Sequence, residues 1–227
     1  LKEVNYQLDL YNFTINIKTK NPQILLEGRR LEIKNIQTNV AIKSLIKKEF
    51  SIDYLELTTK EIKLKDIITL GRVLQDSPQL LVLNTIIKDG AIIANINLNF
   101  DENGKIKKDY KIEGSIKKTN LNILNQINLE NLNFEFVINQ KSYLLKEIKT
   151  SFNKIEIISP LIKIQEKKNL FFVNGQFLNN KKNFDIENLK SIYANLISNI
   201  DIKKLEFSSK NNFSFNINKK LKFDDFK

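Results

Sequence analysis

Apolar residues occupy every second position in segment after segment of this chain. Tyr11, Phe13, Ile15 and Ile17 set the pattern, and Ile92, Ala94, Ile96, Leu98 and Phe100 repeat it. Leu132, Phe134, Phe136 and Ile138 follow, then Phe213, Phe215 and Ile217. A side-chain period of two puts these residues on one face of a β-strand, with Asn, Thr, Lys and Glu on the other. Strands of this kind build antiparallel sheets that bury one face and wet the other. The pattern predicts a mainly β protein whose apolar face must close over itself or be covered by something else.

Turn signals divide the segments. The apolar phase slips at Leu10-Tyr11, where Tyr6, Leu8 and Leu10 give way to the next series, so a bulge or tight turn is expected there. Asn21-Pro22 opens a turn, and Ser44 to Lys48 reads as a turn between strands. Asp89-Gly90 and Asp101-Glu102-Asn103-Gly104 are hairpin signals, which makes residues 91–117 a strand, turn and strand. Tyr110, Ile112 and Ile116 are expected on its apolar side. Further tips are expected at Gln140-Lys141, Lys167-Lys168-Asn169 and Asn179 to Asn183.

A compact apolar unit also recurs: Ile52, Leu55 and Leu57, then Leu129, Leu132 and Phe134, then Ile202, Leu205 and Phe207. Ile33 and Ile36 begin the same way, and Ile62 and Leu64 close the first block. The recurrences suggest a repeated strand design without setting a fixed period. Helical spacing is confined to short stretches. Asp66 can cap a helix over 66–79 with Ile67, Leu70, Val73 and Leu74 on one face. Asp76-Ser77-Pro78 stops it, and Gln79 to Ile87 reads as a short helix or a strand. Leu189, Ile192, Tyr193 and Leu196 suggest another helix over 188–198. No Pro-, Gly- or Ser-rich linker divides residues 1–227, so one unit is expected.

Composition changes the picture mainly by subtraction. The chain has no His, Cys, Trp or Met. The commonest general base, zinc ligand and nucleophilic thiol are therefore missing, and no phosphate loop, HExxH or GxSxG motif is present. An enzyme is not expected, nor a cofactor or metal. Asp53, Glu56 and Glu61 read as outer-face residues rather than a catalytic set. Leu80 to Leu83 is the longest aliphatic run, far short of the roughly 18–20 residues of a membrane helix. The net charge of +11 comes from scattered doublets such as Lys47-Lys48, Lys107-Lys108 and Lys167-Lys168. These read first as solvated faces and hairpin tips. They also suit an anionic membrane surface, whereas nucleic acid is not expected, because no aromatic stacking platforms lie among them. The tyrosines read as sheet or rim residues.

One block goes beyond pattern. Val40 to Ile46, Ile52 to Leu57 and Glu61 to Asp66 together resemble the N-terminal region of the AsmA-like superfamily, over residues 30–120. Lys60 departs from the Pro usual in that pattern. The resemblance implies a segment of a longer protein, held at the inner membrane by an N-terminal anchor outside this chain and lying in the periplasm. Its relatives, TamB-type and chorein-type bridges, are understood as curved, taco-like antiparallel sheets. Phospholipid tails are taken to slide along their apolar groove between inner and outer membranes. The resemblance thus implies an open groove with one to three short helices. The residues expected to line it are Phe13, Ile15, Ile17, Ile33, Leu55, Leu57, Leu64, Ile96, Leu98, Phe100, Ile112, Phe134 and Phe136. Periodicity alone is equally met by a closed β-sandwich that binds a protein partner by strand addition at its edge.

Overall fold

The computed structural model describes residues 3–26, 28–47, 49, 52–74, 78–123, 127–152, 155–168, 170–185, 204–218 and 223–226. The N-terminal strands are β1 (Glu3–Asp9), β2 (Thr14–Lys20), β3 (Gln23–Leu26), β4 (Arg29–Ala41), β5 (Ile52–Thr59) and β6 (Ile62–Lys63). Then come β7 (Ile87–Asn99), β8 (Lys111–Ile123), β9 (Ile127–Asn139), β10 (Ser142–Phe152) and β11 (Ile155–Lys167). β12 (Leu170–Asp185), β13 (Lys204–Asn218) and β14 (Phe223–Phe226) complete the set. The helices are α1 (Ile42–Lys47), α2 (Leu64–Leu74) and α3 (Pro78–Ile86).

Strands pair in the order β1-β2-β4-β5-β7-β8-β9-β10-β11-β12-β13-β14, with β3 added beside β4 and β6 beside β7. Every pairing is antiparallel, and the sheet stays open. The closed sandwich is therefore not what forms. Twelve strands at about 4.8 Å spacing make a sheet roughly 50 Å wide.

Register explains why one face is apolar. Residues directly opposite one another in an antiparallel pair share a face. Beginning at Val4, the partners run Thr19, Ile36, Leu57, Ile96 and Ile112 across the first strands. The same row continues through Ile138, Tyr143, Ile164, Val173, Phe215 and Phe226. One line of side chains, apolar or aromatic save for Thr19, thus runs from Val4 to Phe215, and backbone pairing extends the row to β14. A parallel row runs Ala94, Gly114, Phe136, Leu145, Ile162, Gly175 and Phe213. Two of its glycines sit beside aromatic rings. A Cβ on Gly114 would lie 3.0 Å from the Phe136 ring, and one on Gly175 would lie 2.7 Å from the Phe213 ring. Asn95, Asn97 and Asn99 lie on the opposite face, paired with Glu113, Lys111 and Tyr54. The Tyr54 hydroxyl donates to Glu56 and lies 3.1 Å from Asn97 Oδ1.

Among the described residues, α2 packs on part of the apolar face. Leu64 and Ile68 of α2 are buried with Ile62, Ile87, Ile92, Ala94 and Phe136, and Ile67 and Ile86 pack around them. The helix begins two residues before the expected Asp66 cap, which places Asp66 in its first turn, where a carboxylate favours the positive end of the helix dipole. The buried stripe is Leu64 and Ile68, one turn apart, with Ile67 at its margin. The side chains of Leu70, Val73 and Leu74 lie outside the described residues.

The strands bend at a seam of bulges. Lys118, Asn131 and Glu147 have φ near +50°, and Gly90 has φ 135°. Pairing shifts at 87–91, 116–121 and 129–134 put these positions on neighbouring strands. A bulge leaves a residue out of the ladder and frees its N–H. Side chains take up the freed groups. Lys118 N–H donates to Asn133 Oδ1, Asn131 N–H to Asn120 Oδ1, and Asn120 N–H to Asp89 Oδ1, all at about 3 Å. On the buried side, Thr59 Oγ1 accepts the Ala94 N–H at 2.8 Å, and Thr150 Oγ1 donates to the Glu130 carbonyl at 3.0 Å.

Several turn expectations become bulges for this reason. Asp89-Gly90 lies inside β7, where Asp89 ties down Asn120 and Gly90 abuts Thr119, and it makes no hairpin. Asn179 to Asn183 is likewise within β12, at a shift between Asn179 and Lys182. The 52–57 and 129–134 units are bulged strands: one extra residue lets apolar side chains three apart share a face. Ser44 to Lys47, expected in a turn, belongs to α1. The tips at 101–104 and 140–141 are turns, and Asp101 Oδ1 accepts the N–H groups of Asn103 and Lys105. The possible helix at 188–198 and Ile202 lie outside the described residues.

Gly90→Ala tests the seam. Its Cβ would meet Thr119 Oγ1 at 2.1 Å in a strained backbone conformation, so a loss of about 3 kcal/mol or more is expected in urea unfolding. Gly28→Ala, at φ 75° with open space around it, should cost only about 1 kcal/mol.

An apolar trough on the sheet

Beyond the helices, the described residues that line the apolar face belong to the sheet. Across β10 to β13 the side chains of Leu145, Ile162, Ile164, Val173, Phe177, Phe213, Phe215 and Ile217 border a trough of about 600 Å³, with Asn211 and Asn212 at its edge. Alternation on long strands builds it: Ile162 pairs with Gly175 and that with Phe213, while Ile164 pairs with Val173 and that with Phe215. Gly175 leaves the space that the Phe213 ring fills. Phe213 stacks on Phe177 at 4.6 Å between centroids and on Phe215 at 5.8 Å. The three rings thereby form one stacked aromatic group.

Polar chemistry is confined to the margin. Tyr143 stands in the twelve-strand row, edge-on to Phe171. Burial raises its phenol above the usual value, and Tyr110 and Glu166 push in the same direction. The hydroxyl is therefore neutral at ordinary pH and available as a hydrogen-bond donor. Lys167 lies over the Phe172 ring at 5.0 Å. Such a trough can hold a flexible hydrocarbon through dispersion and exclusion of water, and makes no directional demand on it.

Register places most of the expected lining residues together. Leu57, Ile96 and Ile112 stand in the twelve-strand row, and Phe136 in the row beside it. Ile17, Leu55 and Leu98 share a further row on the same face, Ile15 pairs with Val40, and Phe134 pairs with Ile116. Ile33 is buried on β4, one bulge away from Ile36. Phe100 continues the β7 alternation and bridges to Ile106.

Two expected lining residues sit elsewhere. Phe13 is in the β1–β2 turn with φ 51°, exposed, because its backbone must reverse the chain. Leu64 lies on α2 and is buried under the helix, so it belongs to the packed core rather than to the open face. Ile162, Ile164, Val173 and Phe213 were not singled out as lining. The Phe213, Phe215 and Ile217 alternation was a signal for them, but which strands neighbour it is fixed only by the pairing.

Gly175→Val should push the Phe213 ring off its stack and cost about 1–3 kcal/mol in thermal unfolding. Adding Phe213→Leu should recover at least half of that loss, because the two side chains compete for one space.

Among the described residues no helix is long and apolar enough to cross a membrane. No protein family, curated protein or solved structure matches the chain.

Proposed function

We propose that this chain binds phospholipid acyl chains along the apolar face of its sheet and conducts them across it. In this reading it is a segment of a periplasmic, inner-membrane-anchored protein that carries phospholipid towards the outer membrane. The observation that carries the reading is the row from Val4 to Phe226, continuous over twelve strands. Among the described residues, helices cover it near β7 to β9.

An apolar face left open to water is costly, and a patch of such length marks an interaction site. An acyl chain gains roughly 0.8 kcal/mol for each CH2 it removes from water. Hydrocarbon makes no directional contacts, so successive positions along the row are nearly equivalent and a tail can slide between them. The head group stays in water at the margin, where Tyr143 and the tip lysines lie. Such a task needs no reactive side chain.

Ile164→Arg places a charge in mid-row, between Tyr143 and Val173. An unpaired charge there costs several kcal/mol against hydrocarbon. A photo-crosslinker at Phe215 or Ile96 should label phospholipid in the native chain and in Ile164→Leu. In Ile164→Arg that labelling should fall at least about tenfold while circular dichroism is unchanged. A folded Ile164→Arg chain that crosslinks lipid as well as the native one would rule out the conducting row.

A further inference from the structure

We infer that the corner formed by the β1–β2 turn and α1 is a bilayer-docking tip that inserts into the interface of an anionic membrane. Leu10 is 70% exposed, Tyr11 94%, Phe13 66% and Ile46 77%, with Leu45 exposed beside them. These are large apolar side chains held outward at one place. The Ile42 N–H donates to the Phe13 carbonyl at 3.0 Å and joins the turn to the first residue of the helix. Asp9 fixes the turn: its Oδ1 accepts the N–H groups of Tyr11 and Asn12 at 3.0 Å, and its Oδ2 accepts the Asn12 side-chain amide at 2.8 Å. The rigid loop projects its apolar residues because its polar atoms are satisfied internally.

Chemistry and size select the occupant. Five exposed side chains are well short of the roughly 20–30 residues a side that a stable protein interface uses. They project from a turn and a short helix, so they offer no groove for a peptide. Tyr beside Phe, Leu and Ile matches the aromatic and aliphatic mixture that settles at the head-group level of a bilayer. Lys43 and Lys47, both exposed, flank the tip, and their ammonium groups suit anionic head groups. Glu49 is the acid next to them in the chain, while the carboxylate of Asp9 is committed to the turn. The net charge of +11 would draw the chain to such a surface at a distance.

The inference extends the acyl-chain reading, since a lipid carrier must meet a bilayer, but it rests on separate residues. Because the chain has no Cys, a single substitution gives a unique label site. Tyr11→Cys carrying an environment-sensitive dye should brighten and shift to the blue with phosphatidylcholine vesicles containing phosphatidylglycerol. The same dye at Asn174→Cys, on the polar face, should not change. In flotation with these vesicles, Tyr11→Ser/Phe13→Ser/Ile46→Ser should reduce the bound fraction at least about tenfold, with unchanged circular dichroism. Lys43→Glu/Lys47→Glu should abolish the preference for phosphatidylglycerol over phosphatidylcholine alone. Native chain that stays in solution, or a folded triple variant that floats like the native chain, would overturn the docking tip. Phospholipid crosslinking from Phe215 reports on the row independently: a triple variant that no longer floats but still crosslinks leaves the row intact. A chain that floats normally but does not crosslink fails the row and keeps the tip.

Discussion

Register held across twelve strands is the constraint on which everything else in this protein depends. A slip of one residue between any two neighbours would turn every later side chain to the opposite face. In the β4–β5, β7–β8, β8–β9 and β9–β10 pairings the irregularities come in compensating pairs. β8 carries an extra residue between Ile116 and Thr119, and β9 returns one between Leu132 and Leu129. The alternation therefore restarts on the correct face after each bulge. Asn and Asp side chains at the seam accept the N–H groups of Lys118, Asn120 and Asn131, so these donors keep partners where the ladder is interrupted.

A sheet this wide with one apolar face would ordinarily be covered by a second layer. Here, among the described residues, α2 covers it near β7 to β9, where Leu64 and Ile68 meet Ile92 and Phe136 in a packed core. That core anchors one part of the sheet. The remainder is held by backbone pairing and by side chains leaning on one another within the layer. Glycine beside aromatic is the clearest case: Phe213 lies over Gly175 and so shields the backbone as well as paving the trough. Such intralayer packing leaves the surface apolar, which suits an elongated hydrocarbon better than a compact ligand with polar groups.

The two proposed surfaces use the same residue types under opposite geometries. Along the row, side chains stand side by side on rigid strands and form a continuous track. At the β1–β2 turn, Tyr11 and Phe13 leave the sheet altogether, because the turn that Asp9 holds reverses the chain. Alternation in the sequence treats Tyr11, Phe13, Ile15 and Ile17 as one series. Only the backbone conformation separates the first two from the last two.

Strand character, an open choice between covered and uncovered apolar faces, and the hairpin at Asp101-Gly104 were all determined by the sequence, since each depends on residues near one another in the chain. Most of the lining face was legible for the same reason: Ile96, Leu98 and Ile112 follow from period two alone. Tertiary structure decided whether Asp89-Gly90 and Asn179 to Asn183 were turns or bulges. Both uses favour the same small polar residues, and only a partner strand continuing past them, such as β8 beside Gly90, makes the difference. Tertiary structure also moved Leu64 from strand to helix and brought Ile164, Val173 and Phe215 into line with Ile112. Strand neighbours are set by long-range pairing, which no local pattern encodes.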